Sequence, residues 1–166
     1  MNARAPEFSR PLESRRVPKE GSIERIVATS EECLALAGRI GVHSVQALSA
    51  ELRVRPWQGV GVKLEGSLVA DLEQISVISG NAFRVRLRAP VERFFLPAGV
   101  AFGAEEADVD ELVEGQVDLG EVVAETLILA VDPYPRLEGE RFDLLQSASS
   151  EAANVASSPF ASLKDK

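Results

Sequence analysis

Apolar and polar residues alternate with a period of two through the middle of the chain. Leu48, Ala50, Leu52 and Val54 are interleaved with Ser49, Glu51, Arg53 and Arg55. Val60, Val62, Leu64, Leu68, Ala70 and Leu72 follow the same rule, with Gly66 in register as the place for a bend or bulge. Phe83, Val85, Leu87, Ala89 and Val91 then alternate with polar neighbours that include Arg84, Arg86 and Arg88. Alternation of this kind marks strands with one buried and one wet face. It predicts an antiparallel meander with strands over roughly 45–55, 60–75 and 82–95. The turns fall at Pro56–Gly59 and at Ser79-Gly80-Asn81. Ser22 to Ala28 reads as a further short strand.

Two segments change to a helical period. Thr29 or Ser30 starts the first, over roughly 30–40, with Glu31 and Glu32 in its first turn and Gly41 as the stop. The second, over roughly 118–131, has Asp118 as N-cap and Glu121 at the capping-box position. Leu119, Val122, Val123, Thr126, Leu127 and Ala130 form its apolar stripe, and Pro133 and Pro135 prevent continuation. Helices laid on one face of a meander give an α+β fold. The expected organisation is a loosely ordered arm over 1–21, one α+β domain over 22–145, and a flexible Ser/Ala-rich tail over 146–166. The acidic stretch 98–115 reads as a connection with at most a short helical turn. In the tail, Pro159, Phe160 and Leu163 form a candidate docking segment.

Charge changes this picture more than composition does. The net charge is −8, but residues 1–100 carry +3 and residues 101–166 carry −11. Nine acidic and no basic residues lie between Glu105 and Glu125. An acidic region repels a phosphate backbone and attracts a basic protein, although acidic surface also simply favours solubility. Glu105, Glu106, Asp108, Asp110, Glu111, Glu114, Asp118 and Glu121 are therefore a candidate face for a basic partner. Arg84, Arg86 and Arg88 share one face of their strand at a spacing of about 7 Å. With Arg53 and Arg55 from a neighbouring strand they form a candidate face for RNA or an acidic partner. The same arginines also read as a solvated face neutralised by Lys63, Glu65, Asp71 and Glu73 nearby, and no aromatic platform accompanies them.

Catalytic chemistry is thin. Cys33 is the only cysteine, so an intramolecular disulfide and a cysteine-based zinc site are both excluded. Its place on the apolar side of a helix fits a small core residue. His43 is the only histidine, and no nucleophile motif, Walker loop or dinucleotide fingerprint occurs. The carboxylates at 105–111 allow at most weak Mg2+ or Ca2+ binding. No cofactor, resident metal or small-molecule substrate is expected. No apolar run approaches the roughly 20 residues that span a bilayer, and Met1 to Lys19 lacks a signal-peptide core. A cytoplasmic protein is the expectation.

Several segments together resemble the YceD family of large ribosomal RNA subunit accumulation proteins. They are Pro6-Glu7-Phe8-Ser9-Arg10-Pro11, ECLALAGR at Glu32–Arg39, LEGSLVADLEQ, VERFFLP, VDLGEVVAETLILAVDPYP, and the closing Ser158-Pro159-Phe160-Ala161 with Leu163. The pieces cover nearly the whole chain in family order. The chain departs from the pattern at Ser76, where a family cysteine is expected, and at 136–140, which also lacks one. No metal or redox role of those cysteines carries over. The resemblance implies a non-catalytic bacterial factor in 23S ribosomal RNA accumulation, through synthesis, processing or stability during ribosome biogenesis. Its implied partners are ribosomal RNA or a pre-ribosomal particle, or a basic ribosomal or processing protein. The competing expectations are an acidic adaptor that never touches RNA, and an enzyme built on a deep cleft around His43.

Overall fold

The structure is a computed structural model that describes residues 7–100 and 109–140. Its main element is a five-stranded sheet in the order β2 (Ser22–Val27), β3 (Ser44–Trp57), β4 (Gly61–Ile75), β5 (Ala82–Pro97) and β6 (Val109–Leu112). The long β3, β4 and β5 run antiparallel, as the alternation predicts. β2 adds antiparallel to β3, and β6 adds parallel to β5. A separate two-stranded ribbon joins β1 (Pro11–Glu13) to β7 (Gln116–Asp118). Helices α1 (Ser30–Ile40) and α2 (Leu119–Ala130) complete an α+β fold.

The core forms on the apolar face of the meander. Leu48, Leu52 and Val54 of β3, Leu64, Leu68 and Leu72 of β4, and Val91 and Phe95 of β5 are buried against Cys33 and Leu36 of α1 and Val123 and Leu127 of α2. Burying a side chain of that size contributes about 1.5–3 kcal/mol, so the alternation is itself the main source of stability. Gly66 is not a bulge. It pairs in regular register with Leu52 on one side and Val91 on the other, and a Cβ there would overlap the Glu51 carbonyl oxygen. The irregularity lies at Val45–Ala47 in β3 instead. The turn placed at Pro56–Gly59 starts later, because β3 continues through Trp57 and the left-handed residues are Gln58 and Gly59.

α1 has a complete capping box. The Thr29 hydroxyl accepts from the Glu32 amide, and the Glu32 carboxylate accepts from the Thr29 amide. Asp118 caps α2 through the Gly120 and Glu121 amides. Glu121 does not close the expected box, because its carboxylate is taken by Arg39 at 2.8 and 2.5 Å.

Two segments differ from the sequence expectation. From Glu7 onward the loose N-terminal arm is part of the fold. Phe8 is fully buried, and β1 pairs with β7. The Ser9 hydroxyl and the Arg10 amide donate to the Asp118 carboxylate at 2.6 and 2.7 Å, and the Leu119 amide donates to the Arg10 carbonyl. Arg10 lies over the Phe8 ring and forms a two-pronged bond with Glu32 at 2.7 and 3.0 Å. The sequence hides this because Phe8 is a single apolar residue among prolines and charges. Among its described residues, the acidic connection likewise contains a strand, β6. Tail residues 146–166 lie outside the described residues, and with them the candidate docking segment Pro159, Phe160 and Leu163.

Two outcomes follow for stability. A Cβ on Gly120 would sit 2.5 Å from the Phe8 carbonyl oxygen. Gly120→Ala is expected to cost about 1–3 kcal/mol by overpacking, measured by chemical denaturation. An unchanged midpoint would mean that Phe8 does not pack there. Arg10 holds the Glu32 carboxyl well below its usual range, at about 2. A carboxyl with a depressed folded-state pKa stabilises above the unfolded value, near 4.5, and loses that contribution as pH falls towards 2. Glu32→Gln should therefore flatten the acid limb of the stability profile between those values.

Candidate functional site

The arginine face exists, but it is two clusters. Arg84, Arg86 and Arg88 lie on the open face of β5, and Arg53 and Arg55 lie on the same face of β3. β4 runs between them, so the strands are about 10 Å apart. The register also sets them at opposite ends. Arg84, Arg86 and Arg88 stand across from Glu73, Asp71 and Val69, whereas Arg53 and Arg55 stand across from Glu65 and Lys63.

Part of this charge is answered locally. Arg55 and Lys63 both pair with Glu65, and Lys63 also reaches Glu92 at 3.1 Å. Arg86 faces Asp71 at 3.6 Å, and Arg88 donates to the Ser67 hydroxyl at 3.5 Å. Arg25 of β2 joins the face and pairs with Glu51 at 2.6 Å. Among the described residues, Arg53, Arg84 and Arg88 have no ion-pair partner. Ile23 and Val27 stand exposed at the β2 edge of the same face. The face is a ladder of opposite charges across strands, the arrangement that stabilises a solvated sheet surface.

The acidic region gathers around a concavity instead. A groove of about 470 Å3 runs between β6, the β6–β7 turn and α2. Pro11, Phe95, Val117 and Val122 supply its apolar part. Asp110 and Glu111 come from β6, Glu114 from the turn, and Glu121 and Glu125 from α2. Asp118 also borders the groove, but its carboxylate is spent on the helix cap and the N-terminal strap. Arg93 bridges Asp110 at 3.2 Å and Glu125 at 3.3 Å. Arg39 neutralises Glu121 and also reaches Glu7. Among the described residues, Glu111 and Glu114 are left with no cationic partner. Carboxylates outnumber the cations that answer them, over an apolar floor. That combination attracts a positively charged chain carrying apolar side chains.

Of the eight acidic candidates, the structure brings Asp110, Glu111, Glu114, Asp118 and Glu121 to this groove. Glu105, Glu106 and Asp108 lie outside the described residues. The sequence reading missed Glu125, Arg93 and the apolar floor. The signal for Glu125 was its four-residue spacing from Glu121, which places both on one helix face.

Other potential sites carry little chemistry. His43 borders a hollow of about 400 Å3 lined mainly by Ile40, Val42, Ile75, Val77, Val131 and two prolines. Its Nε2 lies 3.7 Å from Glu73, and no serine, cysteine, threonine or lysine lines the hollow. Cys33 is buried in α1, where burial raises its thiol pKa. Among the described residues no cluster of His, Cys, Asp or Glu could hold a metal ion. No helix among them is long and apolar enough to cross a membrane. Ser76, where the resemblance expects a cysteine, is buried and donates to the Glu140 carboxylate. The two stretches expected to carry cysteines are thus neighbours in space, joined here by a hydroxyl–carboxylate hydrogen bond. No protein-family model, curated protein or solved structure matches the chain.

The carboxylates divide into structural and free ones, and stability measurements separate them. Asp118→Ala should cost about 2–3 kcal/mol, since it removes a helix cap and leaves the Ser9 and Arg10 donors unpaired. Glu111→Ala and Glu114→Ala should stay within about 0.5 kcal/mol. Equal costs at all three positions would contradict this division.

Proposed function

We propose that the chain is a non-catalytic binding factor that acts in large-subunit ribosomal RNA accumulation by holding a basic segment of a ribosomal or processing protein. The observation that carries this reading is the acidic groove between β6 and α2. Among the described residues it holds more carboxylates than cations, has an apolar floor, and leaves Glu111 and Glu114 without a cationic partner. The resemblance to the YceD family supplies the biological setting, and a ribosome in assembly is rich in basic protein segments.

The groove favours a protein partner over direct RNA contact, because six carboxylates around it would repel phosphates. Arg84 and Arg88 keep the alternative alive in reduced form. Arg84 has no ion-pair partner among the described residues, and Arg88 reaches only a hydroxyl. A catalytic reading has no such support, since His43 lacks both a nucleophile and an orienting group at hydrogen-bond distance.

Co-purification of the tagged chain, with and without nuclease, tests the proposal. The wild-type chain should retain a basic protein after nuclease treatment. The double variant Glu111→Lys/Glu114→Lys should retain at least about tenfold less of it while melting at the same temperature. Retention that survives this reversal, but is lost on Arg84→Glu/Arg86→Glu/Arg88→Glu or on nuclease treatment, would move the contact to the arginine face and to RNA.

A further inference from the structure

We propose that the groove receives its partner as an added β-strand on the free edge of β6. This assignment rests on the basic-partner reading above and adds to it the conformation in which the partner binds.

The turn between β6 and β7 carries the inference. Glu114 and Gly115 are consecutive left-handed residues with φ of 54° and 75°, and the Gln116 amide donates to the Val113 carbonyl at 2.9 Å. A two-residue turn with both central residues left-handed matches the twist of two adjoining strands and normally starts a hairpin whose arms pair along their length. Here the arms pair only at Val113 and Gln116. Beyond that bridge they part. β6 joins β5 in the main sheet, and β7 joins β1 in the ribbon. The groove borders both arms where they separate.

Among the described residues, this divergence leaves the outer edge of β6 without a neighbouring strand. In a parallel pair such as β5–β6, alternate backbone groups of the outer strand point away from its neighbour. Among the described residues, no hydrogen bond other than the β5 ladder reaches the backbone of Val109–Leu112. β7 cannot fold back onto this edge, because it is held by β1, by Ser14 at the Gly115 carbonyl, and by the Asp118 knot. An exposed edge with hydrogen-bonding capacity, set beside a groove, is the geometry used for strand addition of extended peptides.

The side chains specify the occupant. Residues of an added strand alternate between two faces. One set would meet Phe95, Val117 and Val122, and the other would meet Glu111 and Glu114. The matching sequence alternates apolar residues with Lys or Arg. A second copy of the chain does not fit, because its own β6 edge would bring Asp110 and Glu111 against the same carboxylates.

The test uses the full chain and an alternating Lys–Val decapeptide at low salt. Two further versions of the peptide carry N-methyl groups on alternate residues, one version for each register. The parent peptide should bind, more weakly as salt rises, and should slow amide exchange at Val109–Leu112. One methylated version should lose at least about tenfold in affinity, and the other should bind nearly as well as the parent. If both methylated versions bind like the parent, strand addition is wrong and the basic-partner reading stands. If the parent does not bind, or binds Glu111→Lys/Glu114→Lys equally well, the basic-partner reading fails and strand addition fails with it.

Discussion

One carboxylate ties together parts of the chain that are more than a hundred residues apart. Asp118 accepts from the Gly120 and Glu121 amides at the start of α2, and from the Ser9 hydroxyl and the Arg10 amide. Helix termini need such acceptors, because their first amides have no partner inside the helix. By satisfying four donors at once, Asp118 fixes where α2 begins and where the N-terminal segment crosses it. The rest of that end follows. Phe8 is pressed into the core beside Gly120, β1 is aligned with β7, and Arg10 is set where it reaches Glu32 on α1. Arg39 and Glu121 make a second link between the helices.

The uneven charge of the sequence becomes an uneven charge of the surface. On the open sheet face, Arg25, Arg55, Lys63 and Arg86 pair with carboxylates of the sheet, while Arg53, Arg84 and Arg88 have no ion-pair partner among the described residues. Around the groove, Arg93 bridges two carboxylates, Glu121 is met from α1, and among the described residues Glu111 and Glu114 have no cation. A partner that brings positive charge there replaces water around groups that have no internal competitor. On the sheet face the same partner would meet arginines as well as carboxylates, so the two surfaces differ as binding sites.

The parts of the fold that were legible in the sequence are those with a sustained period. The three long strands carry enough alternation to fix both their existence and their buried face, and α2 is marked by its cap, its stripe and its prolines. The illegible parts are short and depend on distant partners. Nothing local distinguishes Val109–Leu112 from an acidic loop, because its strand character comes from pairing with Phe94–Pro97. Phe8 is one residue, and its burial depends on Gly120. Glu121 sits at the capping-box position, but a guanidinium 82 positions away is the stronger partner. Among the candidate site residues, the acidic ones were legible as a charge run. The groove they line was not, because it comes from two arms of a hairpin entering different sheets.

The hydrogen bond between Ser76 and Glu140 ties the segment after α2 back to the end of β4. Ser76 closes β4 just before the β4–β5 turn, whereas the groove lies by Phe95 at the other end of β5. Twelve residues of strand lie between Ala82 and Phe95 along β5, a span of about 40 Å. The segment from Pro135 to Glu140 is therefore held at the pole of the meander away from the groove, and a label placed on it would leave the groove unobstructed.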